Sequence, residues 1–291
     1  MKPEEDVSKD IKSAFNKVLN SHGYGFHYAI IKAAGGLYSN HKSLWSFEAA
    51  EVPVEAQGAS TRIDFVMQRR NRSGDETSPF YIIGECKRAN PSLSNWCFAK
   101  APYVGRNRNH EPYIIENVNV NGNAFQGARG KSYSVADEAY HIAVEVRANA
   151  KGDPSGSGRG AIEQAVAQVC RGLNGFVRTL PSVVKQKGIG IQVDLLPVVF
   201  TTAELFVSDA DLSAADLASG DIDLGNYGFE PRPWIVLQYH MSPGLKHGIF
   251  ALPQIGDLSE FMDFEYIRSI PIVNPKGVEA FLKWASEFDR K

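Results

Sequence analysis

Two stretches, Thr61–Met67 (TRIDFVM) and Phe80–Arg88 (FYIIGECKR), decide how this chain is read. Both have the alternation of a β-strand, in which successive side chains point to opposite faces. In the first, Ile63, Phe65 and Met67 alternate with Arg62, Asp64 and Val66. In the second, Tyr81, Ile83, Glu85 and Lys87 share one face. The intervening Asn71–Pro79 (NRSGDETSP) is turn chemistry, so the pair reads as an antiparallel hairpin. Asp64, Glu85 and Lys87 are charges set inside otherwise apolar strands. Such a charge is costly unless it pairs or binds an ion.

Outward from this hairpin the chain alternates between helix and strand signals. Val7, Ile11, Phe15 and Val18 recur at helical spacing over residues 5–20, and His22-Gly23-Tyr24-Gly25 breaks that helix. A second short helix is expected within residues 27–40. Trp45–Ala56 reads as extended, with Pro53 pointing to a sheet edge or a bulge. Residues 90–133 are rich in Asn, Gly, Pro and Arg and read as a long irregular loop, a length usually tied to function. Glu138–Arg147 reads as a strand, and Lys151–Gly160 as a Gly/Ser loop running into a helix over Ala161–Leu180. That helix buries Ile162, Val166, Val169, Leu173 and Phe176 and sets Gln164, Gln168 and Arg171 on its other face. Leu195–Val207 reads as one buried strand, and Trp234–His240 and Gly248–Leu252 as further strands. A last helix is capped by Asn274 with Pro275 in its first turn, and its core face is Val278, Phe281, Leu282, Ala285 and Phe288. The pattern is that of a mixed α/β protein.

Composition narrows the function classes. The 291 residues carry a formal charge of −2, with 43 % hydrophobic and 22 % charged residues, which is ordinary for a globular protein. Glu204–Glu230 holds seven acids and no Lys or Arg, so the rest of the chain has 31 basic residues against 26 acidic ones. A polyanionic ligand is therefore compatible with a local basic groove. No apolar run reaches the roughly 18 residues of a membrane span. The charged start MKPEEDVSKDIKS has no secretory h-region. Three cysteines at unrelated spacings fit a reducing compartment, so a cytoplasmic location away from membranes is expected. The seven histidines show no metal-ligand spacing. The absence of a Gly-x-Ser-x-Gly elbow gives serine nucleophile chemistry no support.

Two carboxylates on adjacent strands suit Mg²⁺, with Mn²⁺ as a substitute, and the backbone carbonyl of Cys86 adds a further hard ligand. Lys87, two residues from Glu85 on the same face, is placed to orient or deprotonate a water attacking a phosphoryl group. Glu145-x-Arg147 mimics the pattern, but an Arg cannot deprotonate, which ranks it below Glu85-x-Lys87. Basic residues from Lys100 to Lys131, Arg106 and Arg108 among them, stand with Trp96, Phe98, Tyr103 and Tyr113 and suit contact with nucleic acid or a partner. Arg159, in the glycine loop, is a candidate phosphate contact.

Asp64, followed after 20 intervening residues by Glu85-x-Lys87 on a second strand, resembles the PD-(D/E)XK nuclease superfamily. The order of helix, three strands, helix and strand over about Val7–Val207 is similar too, although Ile63 stands where the family name has Pro. The resemblance implies a restriction-endonuclease-like α/β fold, a mixed central sheet flanked by helices. It would be a single domain over 1–291, with a core of about 5–207, an insertion of about 90–135 and a C-terminal strand/helix extension over 208–291. It implies a Mg²⁺-dependent phosphodiesterase in which Asp64, Glu85 and Lys87 are catalytic. Gln164 or Gln168 would assist, and Glu51 or Glu55, Glu51 by preference, would be a further ligand. An endonuclease is expected before an exonuclease, and DNA before RNA, in restriction or antiphage defence. A homodimer or a defence-complex partner is expected with it. Two other readings stand beside this one: a catalytically weak nucleic-acid-binding or scaffolding subunit of a defence complex, and a ribonuclease.

Replacing Arg106 and Arg108 with Ala is expected to weaken polynucleotide binding and to flatten its salt dependence by about 0.7–0.9 in log–log slope for each phosphate no longer neutralised. A titration across salt concentrations checks this, and an unchanged slope removes these residues from the interface.

Overall fold

The computed structural model describes residues 4–21, 23–39, 41–56, 58–70, 79–101, 114–121, 124–129, 139–147, 160–187, 190–222, 227–241 and 267–287. Arg106, Arg108 and Arg159 lie outside the described residues, as do Tyr103, Tyr113, Phe288 and the strand expected over Gly248–Leu252.

Helices α1 (Glu4–Ser21) and α2 (Tyr24–Gly35) are separated by Gly23, whose φ of 77° favours glycine. A two-residue pair, β1 (Tyr38–Ser39) and β2 (Lys42–Ser43), leads into β3 (Trp45–Ala56), β4 (Ala59–Arg69) and β5 (Phe80–Lys87). Then follow β6 (Asn95–Ala99), β7 (Glu116–Asn121), β8 (Ala124–Arg129), β9 (Ala139–Tyr140), β10 (Ile142–Val146) and the long helix α3 (Gly160–Lys187). The remaining elements are β11 (Ile191–Thr201), β12 (Glu204–Ser208), β13 (Phe229–Arg232), β14 (Trp234–His240), β15 (Ile267–Val273) and α4 (Val278–Ser286).

Nine strands form a mixed sheet along the path β3-β4-β5-β11-β15-β14-β9, with β7 and β8 attached beside β11. Strand β11 is parallel to both β5 and β15 and antiparallel to β7. It is buried on both faces, which is why it reads as a continuous apolar run rather than an alternating one. Val193, Leu195 and Val199 join α3's Ile162, Val166 and Leu173 in one core layer. Leu196, Val198 and Phe200 join Ile30 and Ala34 of α2 and Phe281 and Leu282 of α4 in the other. Gly175 lets α3 lie close on β3, since a Cβ there would stand 2.6 Å from Val54. A second sheet has the order β10-β6-β12-β13.

Several elements depart from the sequence reading. The segment expected to be an irregular loop contains β6, β7 and β8. In β7 (ENVNVN), Val118 and Val120 alternate with asparagines and are fully buried, so a true period of two was hidden by turn-forming residues. Trp96 and Phe98 of β6 are core residues, 0 % and 1 % exposed, and offer nothing to nucleic acid. The strand expected over Leu195–Val207 is two strands: the chain breaks at Thr202–Ala203, and β12 crosses to the second sheet. Glu138–Arg147 likewise divides around His141 into β9 and β10, in different sheets. The C-terminal residues are no appendage to the sheet, for β15 pairs with β11 and β14 inside it. Helix α3 runs past Pro181 to Lys187. The apolar stripe of α1 is not covered by the described residues: Ile11, Phe15 and Val18 are 64 %, 59 % and 50 % exposed.

The acidic stretch has local structural work. Asp211 and Asp216 accept backbone N–H bonds that close tight turns, Asp209 accepts from Gly228, and Glu204 pairs with Lys276 at 2.8 Å. Asn274 accepts from the Lys276 N–H at 3.0 Å, the cap that the sequence predicts, ahead of a single turn (Pro275–Gly277) that leads into α4.

Phe65 and Gly84 face each other across β4 and β5, and the Phe65 ring occupies the space a Cβ would need, 2.3 Å from it. Gly84→Ala is therefore expected to destabilise the protein by about 1–3 kcal/mol through overpacking, measured by chemical denaturation. A variant as stable as wild type would mean that the Phe65 ring moves freely.

Candidate active site

The site forms where β4 and β5 part. Their ladder runs from Gln68–Tyr81 to Phe65–Gly84. One step further the register sets Asp64 opposite Glu85, and pairing has stopped. Asp64 Oδ2 accepts the Cys86 N–H at 2.6 Å in place of a backbone carbonyl. In an extended strand a residue's N–H and C=O point to the same neighbour, so the Cys86 carbonyl faces the same widened gap.

The opposite edge of β4 is irregular too. Strand β3 carries a register shift between Phe47 and Ala49, and Glu51 has a φ of 52°. A non-glycine residue held there costs of order 1–3 kcal/mol. The pairs Ala50–Phe65 and Val52–Ile63 bracket Glu51 and Asp64, which therefore lie across from one another. The irregularity also corrects the expected face of β4. Ile63 packs against Gly172 of α3, while the Phe65 ring lies 5.5 Å from that of His27 on α2, on the other side of the sheet. Strict alternation fails at Asp64.

Glu85 and Lys87 follow Tyr81 and Ile83 on the α3 face. Lys87 Nζ donates to Gln164 Oε1 at 3.1 Å. Gln164 lies in the early turns of α3, whose start is fixed by Glu145: its carboxylate accepts the N–H groups of Ala161 and, at 3.2 Å, Ile162. Glu145, 5 % exposed, thus serves as a helix cap and dipole partner, which accounts for the second Glu-x-Arg pattern in the sequence.

On the α2 side, His27 Nδ1 is 3.8 Å from Glu51 Oε1, and Arg62 Nη1 is 3.6 Å from Glu51 Oε2. One potential ligand atom from each of His27, Glu51 and Asp64 lies within 4.8 Å of the other two. The buried His27 Nε2 has no hydrogen-bond partner among the described residues.

Electrostatics show how strained the acids are without a cation. Burial, then the charge of Asp64, pushes the Glu85 carboxyl up to about 9, against the opposing pull of Lys87. Burial pushes Asp64 up to about 6, with Glu51 adding to the rise and the Cys86 N–H and Lys87 opposing it. Burial lowers His27. Among the described residues the ligand atoms that gather are hard carboxylate oxygens of Asp64 and Glu51 and an imidazole nitrogen of His27, with the Glu85 carboxyl outside that group. This donor set fits a divalent cation such as Mg²⁺ or Mn²⁺.

Of the residues expected from the sequence, Asp64 and Glu51 gather with His27, Asp64 accepts the Cys86 N–H and Lys87 meets Gln164, while Glu85 feels the charges of Asp64, Lys87 and Glu51 but stands outside the gathered group of ligand atoms. Gln168 sits one turn further along α3, and Glu55 is exposed on β3. His27 was missed. Its signal was there: His27, Ile30 and Ala34 form the buried stripe of α2, a polar residue at a core position.

A carboxyl whose folded pKa is raised makes the protein less stable as pH rises, because the folded state then binds more protons than the unfolded one. For Glu85 this window runs from about 4.5 to about 9, with a limiting slope of about 1.4 kcal/mol per pH unit for one proton. Thermal denaturation in chelator is expected to show stability falling across that window. Glu85→Gln should flatten the fall, and Mn²⁺ should reverse it above pH 7. A flat profile in chelator would remove Glu85 from the cluster's electrostatics. No protein-family model, curated protein or solved structure matches this chain.

Proposed function

We propose that this chain is a divalent-metal-dependent phosphodiesterase acting on nucleic acid, DNA in the first instance, as its resemblance to PD-(D/E)XK nucleases implies. One observation carries the reading. A buried carboxyl, Glu85, and a half-buried one, Asp64, stand at the splayed ends of adjacent strands, with Lys87 beside them and hydrogen-bonded to Gln164. A structural ion-pair cluster would match charge with charge. Here burial raises both acids, with the charge of Asp64 adding to the rise of Glu85 and that of Glu51 to the rise of Asp64, a condition a bound cation would relieve.

Asp64, Glu85 and the Cys86 carbonyl would hold the cation, with Glu51 and His27 on its other side. When bound, it supplies Lewis-acid polarisation of a phosphoryl oxygen and acidifies a water. The protein's own groups do the rest. Lys87 Nζ donates to the attacking water and to the oxygens on which charge builds. Gln164, by accepting one Lys87 N–H, sets the direction of the other two. The Cys86 N–H holds Asp64 in place through Oδ2 and leaves Oδ1 for the ligand role. Glu145 keeps the start of α3, and with it Gln164, in register with β5.

Lys87→Ala is expected to lower the hydrolytic rate on DNA by about 10²–10³, as loss of one charge-stabilising donor does, while substrate binding persists. Glu85→Ala should be at least as severe. Gln164→Ala, acting through Lys87, should cost less in rate. Single-turnover cleavage of plasmid, linear DNA and RNA with Mg²⁺ and Mn²⁺ measures all three. A Lys87→Ala enzyme as fast as wild type would place the chemistry elsewhere. Failure of wild type to cleave any of these would leave a nucleic-acid-binding subunit as the reading.

A further inference from the structure

Helix α2 has two unlike sides. His27, Ile30 and Ala34 are buried, while Tyr24, Tyr28 and Lys32 recur every four residues along the outer side and are exposed. Tyr28 is 57 % exposed, a large aromatic surface that the packing of the fold leaves unused. Its ring nevertheless has a set place. It stacks on the ring of His27, with centroids 5.0 Å apart and planes 8° from parallel. His27 in turn lies 5.5 Å from the Phe65 ring in the core.

His27 ties this surface to the acid cluster. A ring nitrogen of His27 lies within 4.8 Å of carboxylate oxygens of both Glu51 and Asp64, so Tyr28 stands one imidazole away from them. The cluster opens to solvent on this side: the Glu51 side chain is 35 % exposed, whereas Glu85 is buried. Arg62 of β4, 67 % exposed, stands at the same opening with Nη1 3.6 Å from Glu51 Oε2. A guanidinium carries five N–H donors, so this contact leaves Arg62 others to offer. Exposed rings and exposed cations thus occur together on α2 and β4, the two elements that carry His27 and Asp64.

Aromatic side chains on which bases stack, beside cations that follow the backbone, are the means by which proteins hold single-stranded nucleic acid. A duplex cannot use Tyr28 in this way, because both faces of every internal base are covered by its neighbours. Stacking reads no base identity, since every base has a π-face. A ring already held against His27 loses little rotamer freedom when a base settles on it.

We propose that Tyr28 is a stacking platform for an unpaired base close to the scissile phosphate, with Arg62 and Lys32 on phosphates of the same strand, and that the substrate is therefore single-stranded nucleic acid. The proposal rests on the phosphodiesterase reading, which brings a phosphate to Asp64. Tyr28 is a positioning residue in this scheme. Its ring leans on His27, so a base stacked there is placed relative to the His27, Glu51 and Asp64 group, while Lys87 approaches from the α3 face.

The test uses the full chain with Lys87→Ala as the common background, to prevent turnover, in Mn²⁺. Fluorescence anisotropy compares oligothymidylate with a blunt hairpin duplex carrying the same number of phosphates. The single strand is expected to bind about tenfold tighter, and Tyr28→Ala to remove about tenfold of its affinity, as loss of one stacked base does, while duplex binding stays within about twofold. Tyr28→Phe keeps the ring and should stay within about threefold of the parent on the single strand. Lys32→Ala should lower the salt slope for the single strand by about 0.7. Thermal denaturation and Mn²⁺ calorimetry of Tyr28→Ala check that the fold and the His27 side of the cluster are intact, and a variant that fails either check is replaced by Tyr28→Leu. Equal affinity for strand and duplex in the Lys87→Ala protein, or a Tyr28→Ala variant that binds the strand as tightly as its parent, overturns the platform and leaves this side of α2 to a protein partner or to solvent. The phosphodiesterase reading then stands or falls on cleavage by wild type alone. Binding to neither nucleic acid overturns both.

Discussion

Carboxyl groups that burial keeps from water, and that a neighbouring strand keeps from separating, are the constraint around which this protein is organised. Glu85 lies almost wholly inside the protein, and Asp64 is pinned to the backbone of the adjacent strand. Neither can escape to solvent by changing rotamer without giving up packing or a hydrogen bond. The fold therefore holds an electrostatic tension that a proton relieves for one acid at a time, and that a cation bound beside them would relieve.

Much of the surrounding architecture maintains that tension. Phe65 over Gly84 fixes the last paired step of β4 and β5, so that the strands diverge at Asp64 rather than elsewhere. Glu51, held at positive φ, brings a third carboxyl across from Asp64 while His27 comes up from α2 on the opposite layer. Glu145 anchors α3 through its first N–H groups, which fixes where Gln164 meets Lys87. Each device is local. Together they put a backbone irregularity on β3, a splay between β4 and β5, and a helix start on α3 within reach of one small volume.

What the sequence revealed and what it hid follow the same physics. The hairpin strands and the Asp64, Glu85 and Lys87 set were legible because charges interrupting an apolar alternation stand out. Gln164 and Glu51 were legible as positions on elements already assigned. His27 was not, because nothing in a one-dimensional pattern shows that the buried stripe of α2 passes over β3. Strand β7 was hidden by asparagines that favour turns in isolation and pair here only because β11 offers its edge. Strand β15 (IRSIPIV) carries Arg268, 3 % exposed and 3.0 Å from an oxygen of Glu116. A buried arginine and a proline disguised a central strand whose partner charge lies far away on β7. The face assignment of β4 failed for a different reason: period-two reasoning assumes a regular backbone, and the site exists because the backbone there is not regular.

The place of β15 has a consequence for synthesis. It is the last strand of the described chain, yet it lies within the sheet, between β11 and β14. The ribosome therefore releases β3, β4, β5 and α3 long before the strand that completes the far flank of β11. Contacts of such wide sequence separation form slowly. Until Val273 has emerged, the nascent chain must hold an open edge on its most apolar strand, a surface that invites aggregation or the attention of a chaperone. Assembly of the acid cluster and closure of the sheet are thus separate events in the life of each molecule, and the second awaits synthesis of Ile267–Val273.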